Sequence, residues 1–187
     1  MGLPLKTETG LSAEEFMAWY DMQPDGKRYE LLDGAVYEMM GEALIHVRTK
    51  MEVAVSLREQ IFRNKMACEA LVDGMAVKID AKTVFEPDVL VRCGPLLPGD
   101  TVLLHDPVIV VEIVSPSSQR IDTYQKFMRY FNNSAIIHYL ILFPAKKTAI
   151  HHQRMASGRI ETQGYESGVI RLEPPGLELD LAEVMGE

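Results

Sequence analysis

Two carboxylates stand where the chain otherwise places valine and isoleucine. Glu112 interrupts the run "PVIVVEIV", and Asp88 opens the preceding apolar run in "FEPDVLVRC". An isolated ionised carboxylate on an apolar strand is costly, so it either protonates or finds a cation. "PVIVVEIV" is apolar on both faces, as expected of a central strand covered by helices. Its alternation puts Glu112 on one face with Val108, Val110 and Val114. If the two runs pair as antiparallel strands around a loop centred near Gly99-Asp100, residue numbers across the pair sum to about 200. Asp88 then stands opposite Glu112, and directly opposed side chains have Cβ atoms roughly 4.5–5.5 Å apart. Two like charges that close repel unless a divalent cation sits between them.

Other polar residues read in two ways. Asp88 follows Pro87, so it also fits the start of a strand beside a turn. Lys126 lies four residues after Asp122, opposite the apolar face of its segment; as an exposed helical pair the two would contribute only about 0.3–0.5 kcal/mol. His46 sits at the edge of a helical stripe and fits a boundary histidine. Glu30 alternates with apolar neighbours as in any half-buried strand. His151 and His152 are adjacent, so on a strand they point to opposite faces and make a poor metal pair. The eleven methionines are more economically core filler than a binding surface.

The elements that must position these residues follow from pattern. "LSAEEFMAWYDM" opens with Ser12 and carries Glu15 three residues later, a capping-box start for a short helix. "RYELLDGAVYEMM" is two strand-like runs around Asp33-Gly34, a hairpin signal. From about residue 43 to 62, Leu44, Val47, Met51, Ala54, Leu57 and Ile61 recur at helical spacing and predict a long amphipathic helix. "CEALV" and "MAVKI" read as strands joined through Asp73-Gly74. A helix is expected from about Ser118 to Asn132, with Tyr124, Phe127, Met128 and Phe131 inward. The strands "IIHYLILF" and "TAIHHQRM" follow, then weaker strand signals, then a closing helical turn in "LDLAEVM". The sum is an α/β (α+β) fold: a central mixed β-sheet flanked by helices, with an N-terminal β-hairpin.

Composition bounds the rest. The 187 residues, 47% hydrophobic and 25% charged, fit one globular domain over 1–187 rather than disorder. No apolar stretch has the length of a membrane span, and the N-terminus lacks a signal-peptide pattern. Cys68 and Cys93 fit no ligand spacing and are too few for a disulfide scaffold, so a reducing cytoplasm is expected. The net charge of -8 argues against a broad nucleic-acid surface but not against a small site that recruits cations.

Taken in order, Tyr29-Glu30-Leu31-Leu32-Asp33-Gly34, His46 at the start of the long helix, Pro87-Asp88, "VVEIVSPSS", the spaced Asp122, Lys126 and Tyr130, and "PPGLELDLAEVM" resemble the Uma2 family. That family is described as restriction-endonuclease-like. The resemblance implies a PD-(D/E)XK nuclease core, in which an Asp and a Glu bind a divalent metal, usually magnesium, and a Lys helps position the attacking water. Asp88 matches the first acid and Glu112 the second. Val114, not Lys, stands two residues after Glu112, so the resemblance assigns the lysine role to Lys126 on the following helix. Phe143 stands where the family tends to carry an acid before Pro144.

The activity implied is phosphodiester hydrolysis of nucleic acid, with DNA as the expected substrate. Magnesium or manganese would be held by Asp88, Glu112 and the backbone carbonyl of Ile113. Glu30, His46, Asp122 and Tyr130 would support them, and a homodimer is expected for an enzyme that cuts both strands. The alternative is a catalytically inactive nuclease fold kept as a nucleic-acid-binding or protein-interaction module.

Overall fold

The computed structural model describes residues 4–24, 26–39, 41–114 and 122–186, and their side chains apart from those of 4–8 and 122–124. The strands are β1 Pro4–Thr9, β2 Tyr29–Leu32, β3 Ala35–Glu38, β4 Cys68–Val72, β5 Ala76–Asp80, β6 Thr83–Phe85 and β7 Val89–Cys93. They continue with β8 Leu103–Leu104, β9 Pro107–Ile113, β10 His138–Phe143, β11 Thr148–Arg154, β12 Ile160–Tyr165, β13 Val169–Leu172 and β14 Leu177–Asp180. The helices are α1 Ala13–Tyr20, α2 Leu44–Arg63, α3 Asp122–Tyr130 and α4 Leu181–Met185.

Local signals set several of these boundaries. Glu15 N–H donates to Ser12 Oγ at 3.2 Å, and Ser12 N–H donates to Glu15 Oε2 at 2.8 Å, so two donors at the start of α1 are satisfied reciprocally. Leu32 pairs with Ala35 across the two-residue turn Asp33-Gly34. Both turn residues have positive φ, 51° and 81°, which the right-handed twist of a tight hairpin requires. Gly34 is also needed for room: a Cβ there would meet the Leu11 carbonyl oxygen at 3.2 Å.

Among the described residues the strands form two six-stranded sheets and one hairpin. The first sheet runs β1-β3-β2-β6-β5-β8, so the N-terminal hairpin is part of a larger sheet. The second runs β12-β11-β10-β9-β7-β4 and is mixed: β9 lies parallel to β10 and antiparallel to β7. "CEALV" and "MAVKI" therefore belong to different sheets, as β4 and β5. In the β7–β9 ladder Val89 pairs with Val111, Leu90 with Val110 and Val91 with Ile109, the register expected from a sum of 200; it shifts only at Arg92. Hairpin β13–β14 closes beside α4 and α2.

One face of the mixed sheet, with Val89, Val91, Ile109, Val111 and Ile113, packs against Val53, Leu57 and Ile61 of α2 and against α4. The other face, with Leu90, Val110, Val114, Tyr139 and Ile141, packs against Tyr130 of α3 and against Leu32, Val77 and Phe85 of the first sheet. Helix α1 closes the far side of that first sheet through Phe16, Leu31, Val36 and Val84.

Three expectations are corrected. The inner stripe of α2 reads Thr49, Lys50, Val53, Leu57 and Ile61, whereas Leu44, Val47 and Met51 are exposed. On α3, Met128 is exposed and Lys126 is buried on the inner side, not opposite it. Leu57 and Ile61 of α2 and Phe127 and Phe131 of α3 do pack inward as expected; apolar periodicity misplaced the first half of α2 and Met128 because there the inner face carries charged residues. Cys68 and Cys93 stand directly opposite each other on β4 and β7, with Cα atoms 3.9 Å apart, and are joined in a disulfide. Sequence spacing alone did not show that the two strands are neighbours.

Candidate active site

Four elements and the chain just before β7 bring charged side chains together at one end of the two sheets. The β7–β9 register continued by one pair sets Asp88 against Glu112. Glu30 and Leu32 lie on one face of β2, and Leu32 packs into the layer between the sheets. Helix α3 lays Lys126 and Tyr130 over this layer, one turn apart. The first turns of α2 supply His46 and Lys50.

Lys126 ties the acids together. Its Nζ lies 2.8 Å from Glu30 Oε1 and 2.9 Å from Glu112 Oε1. The Tyr130 hydroxyl donates to the same Glu112 oxygen at 2.5 Å. Glu30 Oε1 also accepts the Glu86 N–H at 3.0 Å, which fixes the carboxylate against the chain leading into Pro87-Asp88. Asp88 is held from two sides: Oδ2 accepts the Ile113 N–H at 2.7 Å, and Oδ1 lies 2.9 Å from His46 Nε2. Lys50 Nζ lies 3.5 Å from the same Oδ1 and is held by Glu42 at 2.5 Å and Asp73 at 2.7 Å.

The two central acids have opposite electrostatics. Burial pushes Glu112 up to about 7; Lys126 opposes that rise, while the Asp88 and Glu30 charges add to it. Burial pushes Asp88 up as well, but the His46 contact, the Ile113 N–H and Lys50 outweigh it and hold the carboxyl below its ordinary value. Burial works against the His46 imidazolium, yet the Asp88 bond and the Glu42 charge raise it overall. The Tyr130 phenol is pushed well above its usual range, first by burial and then by Glu112 and Glu30, so it acts as a donor. Two neighbouring carboxyl groups driven apart in this way are a mark of a functional site.

Of the residues singled out from sequence, Asp88, Glu112, Lys126, Glu30, His46 and Tyr130 meet here. Asp122 opens α3, but its side chain lies outside the described residues, as does the segment from 115 to 121. Ile113 contributes its N–H to Asp88. His151 and His152 are elsewhere: His151 Nε2 lies 2.9 Å from His138 Nδ1, and His152 Nδ1 lies 2.7 Å from Thr162 Oγ1. Pattern reading missed Lys50, Glu42, Asp73, Glu86 and Arg28. Lys50 was recoverable from its position one turn after His46. Glu86 Oε1 lies 2.9 Å from Arg28 Nε as an ion pair, and Glu86 stands two residues before Asp88.

The donor set suits a hard divalent cation. Ligand atoms of Glu42, His46 and Asp88 lie within 4.8 Å of one another, and Glu112 stands on the adjacent strand. Carboxylate oxygens with at most one imidazole match magnesium or manganese better than softer metals.

Residues 13–183 match the model of a family, Uma2, described as "Putative restriction endonuclease". The chain belongs to the Uma2 family. The uncharacterized protein slr1290 of Synechocystis sp. is 29% identical over 136 residues, covering 71% of this chain and 68% of that protein. A solved structure, described as a putative nuclease belonging to DUF820 from Anabaena variabilis, superposes with a TM-score of 0.77 at 12% identity. It covers 94% of this chain and 98% of the Anabaena chain. At that identity the likeness bears on fold alone, and the fold is the same mixed α+β arrangement.

Proposed function

We propose that this Uma2 chain is a metal-dependent endonuclease that hydrolyses phosphodiester bonds of nucleic acid, with DNA as substrate. Residues 1–187 act as one restriction-endonuclease-like domain. Asp88, Glu112 and the backbone carbonyl of Ile113 hold a magnesium or manganese ion, with His46 and Glu42 beside Asp88. The observation that carries this reading is the buried Lys126, shared between Glu30 and Glu112 next to the paired acids. When bound, the ion supplies charge neutralisation at the phosphate and lowers the pKa of a bound water.

The chain's own residues divide the remaining work. Ile113 N–H and His46 keep Asp88 ionised and aimed. Tyr130 and Lys126 hold Glu112 in one orientation and favour its carboxylate form against burial. Glu30 anchors Lys126, whose ammonium places the attacking water or the phosphate. Asp122 belongs to the supporting set of this reading. A homodimer is the acting form, and the cytoplasm is the site of action; there Cys68 and Cys93 would be kept as thiols.

The acidic net charge and Val114 in place of an adjacent lysine favour a second reading: an inactive nuclease fold retained as a binding module. Incubation of the chain with a panel of DNA and RNA substrates and manganese separates the two. Manganese-dependent cleavage that Lys126→Ala slows at least about 100-fold supports the nuclease. Cleavage equal in wild type and variant identifies a contaminant and leaves the binding module.

A further inference from the structure

Asp88 has a second side. Its Oδ2 takes the Ile113 N–H, while its Oδ1 faces His46 and Lys50, one turn apart on α2. Only 5% of Lys50 is exposed. Three segments of chain bring an acid to its ammonium: Glu42 just before α2, Asp73 in the turn between β4 and β5, and Asp88 ahead of β7. Nζ lies 2.5 Å from Glu42 Oε2, 2.7 Å from Asp73 Oδ2, 2.9 Å from Asp73 Oδ1 and 3.5 Å from Asp88 Oδ1. An ammonium has three donors, and here carboxylates take them. Arg28 closes the outer side, with Nη1 3.2 Å from Glu42 Oε1 and Nη2 3.5 Å from Asp73 Oδ1. Glu42 and Asp88 are two of the three residues whose ligand atoms cluster within 4.8 Å. The ammonium therefore sits among groups that would otherwise take up a cation. Magnesium needs its oxygens at roughly 2.0–2.1 Å, and Nζ already fills that space beside Glu42.

We propose that Lys50 is a resident cation: its ammonium holds the place between Glu42, Asp73 and Asp88 that a second divalent ion would otherwise take, so the chain loads a single ion, on the Glu112 side of Asp88. The single-ion part rests on the nuclease reading; the assignment of Lys50 does not. Lysine suits the place because its ammonium is a compact point charge on a flexible stem. It neutralises acids from three segments and steadies Asp88 through Oδ1, whatever the metal concentration. An ammonium cannot polarise a phosphate oxygen or lower the pKa of a bound water as a metal does. Lys50 is therefore a positioning residue, and the Lewis-acid work stays on the Glu112 side. A lysine that served packing alone would cost stability when replaced and leave the number of bound ions unchanged.

Calorimetric titration of manganese into the full chain, without nucleic acid, counts the ions; circular dichroism shows that each variant is folded. Wild type should take up one ion and Lys50→Gln two. The two ions of Lys50→Gln should be spin-coupled in the electron paramagnetic resonance spectrum, since both would lie against Asp88. Lys50→Gln/Asp73→Asn should return to one, because the vacated place then lacks a carboxylate. An equal count in wild type and Lys50→Gln overturns the proposal. A wild type that takes up two ions overturns it even if Lys50→Gln does not fold. Wild type with no ion and Lys50→Gln with one would uphold Lys50 as the resident cation and remove the ion from Glu112. One ion in each would do the reverse, striking the role of Lys50 and keeping the metal reading.

Discussion

Lys126 answers two buried acids at once, at 2.8 and 2.9 Å. Removing one member of such a cluster leaves uncompensated buried charge, at a cost of roughly 3–5 kcal/mol. Lys126→Ala should therefore melt well below wild type without metal at pH 8, and recover part of that loss on lowering the pH. Its affinity for the ion should remain close to that of wild type, since Lys126 is a cation and not a ligand. Glu112→Gln should behave in the opposite sense. Unfolded, Glu112 ionises near the ordinary glutamate value; folded, it ionises near 7. Between those values the native chain holds a proton that the unfolded chain has released, so the stability present at low pH is lost as pH rises through about 7. Relative to wild type, Glu112→Gln should gain melting temperature from pH 5 to pH 8, by about 2–4 °C for each kcal/mol relieved. Equal melting curves at both pH values would show that Glu112 is not strained by burial.

At the scale of elements, local chemistry was legible where it agreed with the fold. The Ser12–Glu15 box starts α1 and Asp33-Gly34 turns β2 into β3, because both signals act within a few residues. Ser12→Ala should cost about 1 kcal/mol, read as a lower urea midpoint with an unchanged slope. Gly34→Ala should cost more than about 1 kcal/mol, since it combines a positive φ with a close Leu11 carbonyl. The acid pair was legible because a Glu inside a valine run has few structural reasons to be there. The faces of α2 and α3 were legible only in part. Leu57, Ile61, Phe127 and Phe131 turn inward as apolar residues should, but His46 and Lys50 head the inner stripe of α2 and Lys126 that of α3, so the same rule sent Leu44, Val47, Met51 and Met128 to the wrong side. Nor does a sequence state that Lys126 on α3 donates to Glu30 on β2, 96 residues away. That contact depends on the packing of one sheet over another.

For the molecule as a whole, pH acts through two groups of side chains with opposite signs. His138, His151 and His152 are buried around β10 and β11, and His138 Nε2 lies 2.8 Å from the Pro174 carbonyl oxygen in the turn of the β13–β14 hairpin. Burial lowers all three, with His151 and His152 at about 4. Their stability contribution is present above the ordinary histidine value and is lost as pH falls through about 4. Thermal melts from pH 7 to pH 4 should show a falling midpoint, and His151→Gln should flatten that fall; an unchanged slope would place these imidazoles in contact with water. The disulfide between Cys68 and Cys93 should be seen in a thiol count before and after denaturation in the absence of reductant. The most direct measurement concerns the acid pair itself: calorimetric titration of manganese into wild type and Glu112→Gln at pH 7.5. Wild type should bind an ion and Glu112→Gln should show no measurable binding. Equal affinity in the two proteins would place the ion elsewhere and remove Glu112 from the metal site.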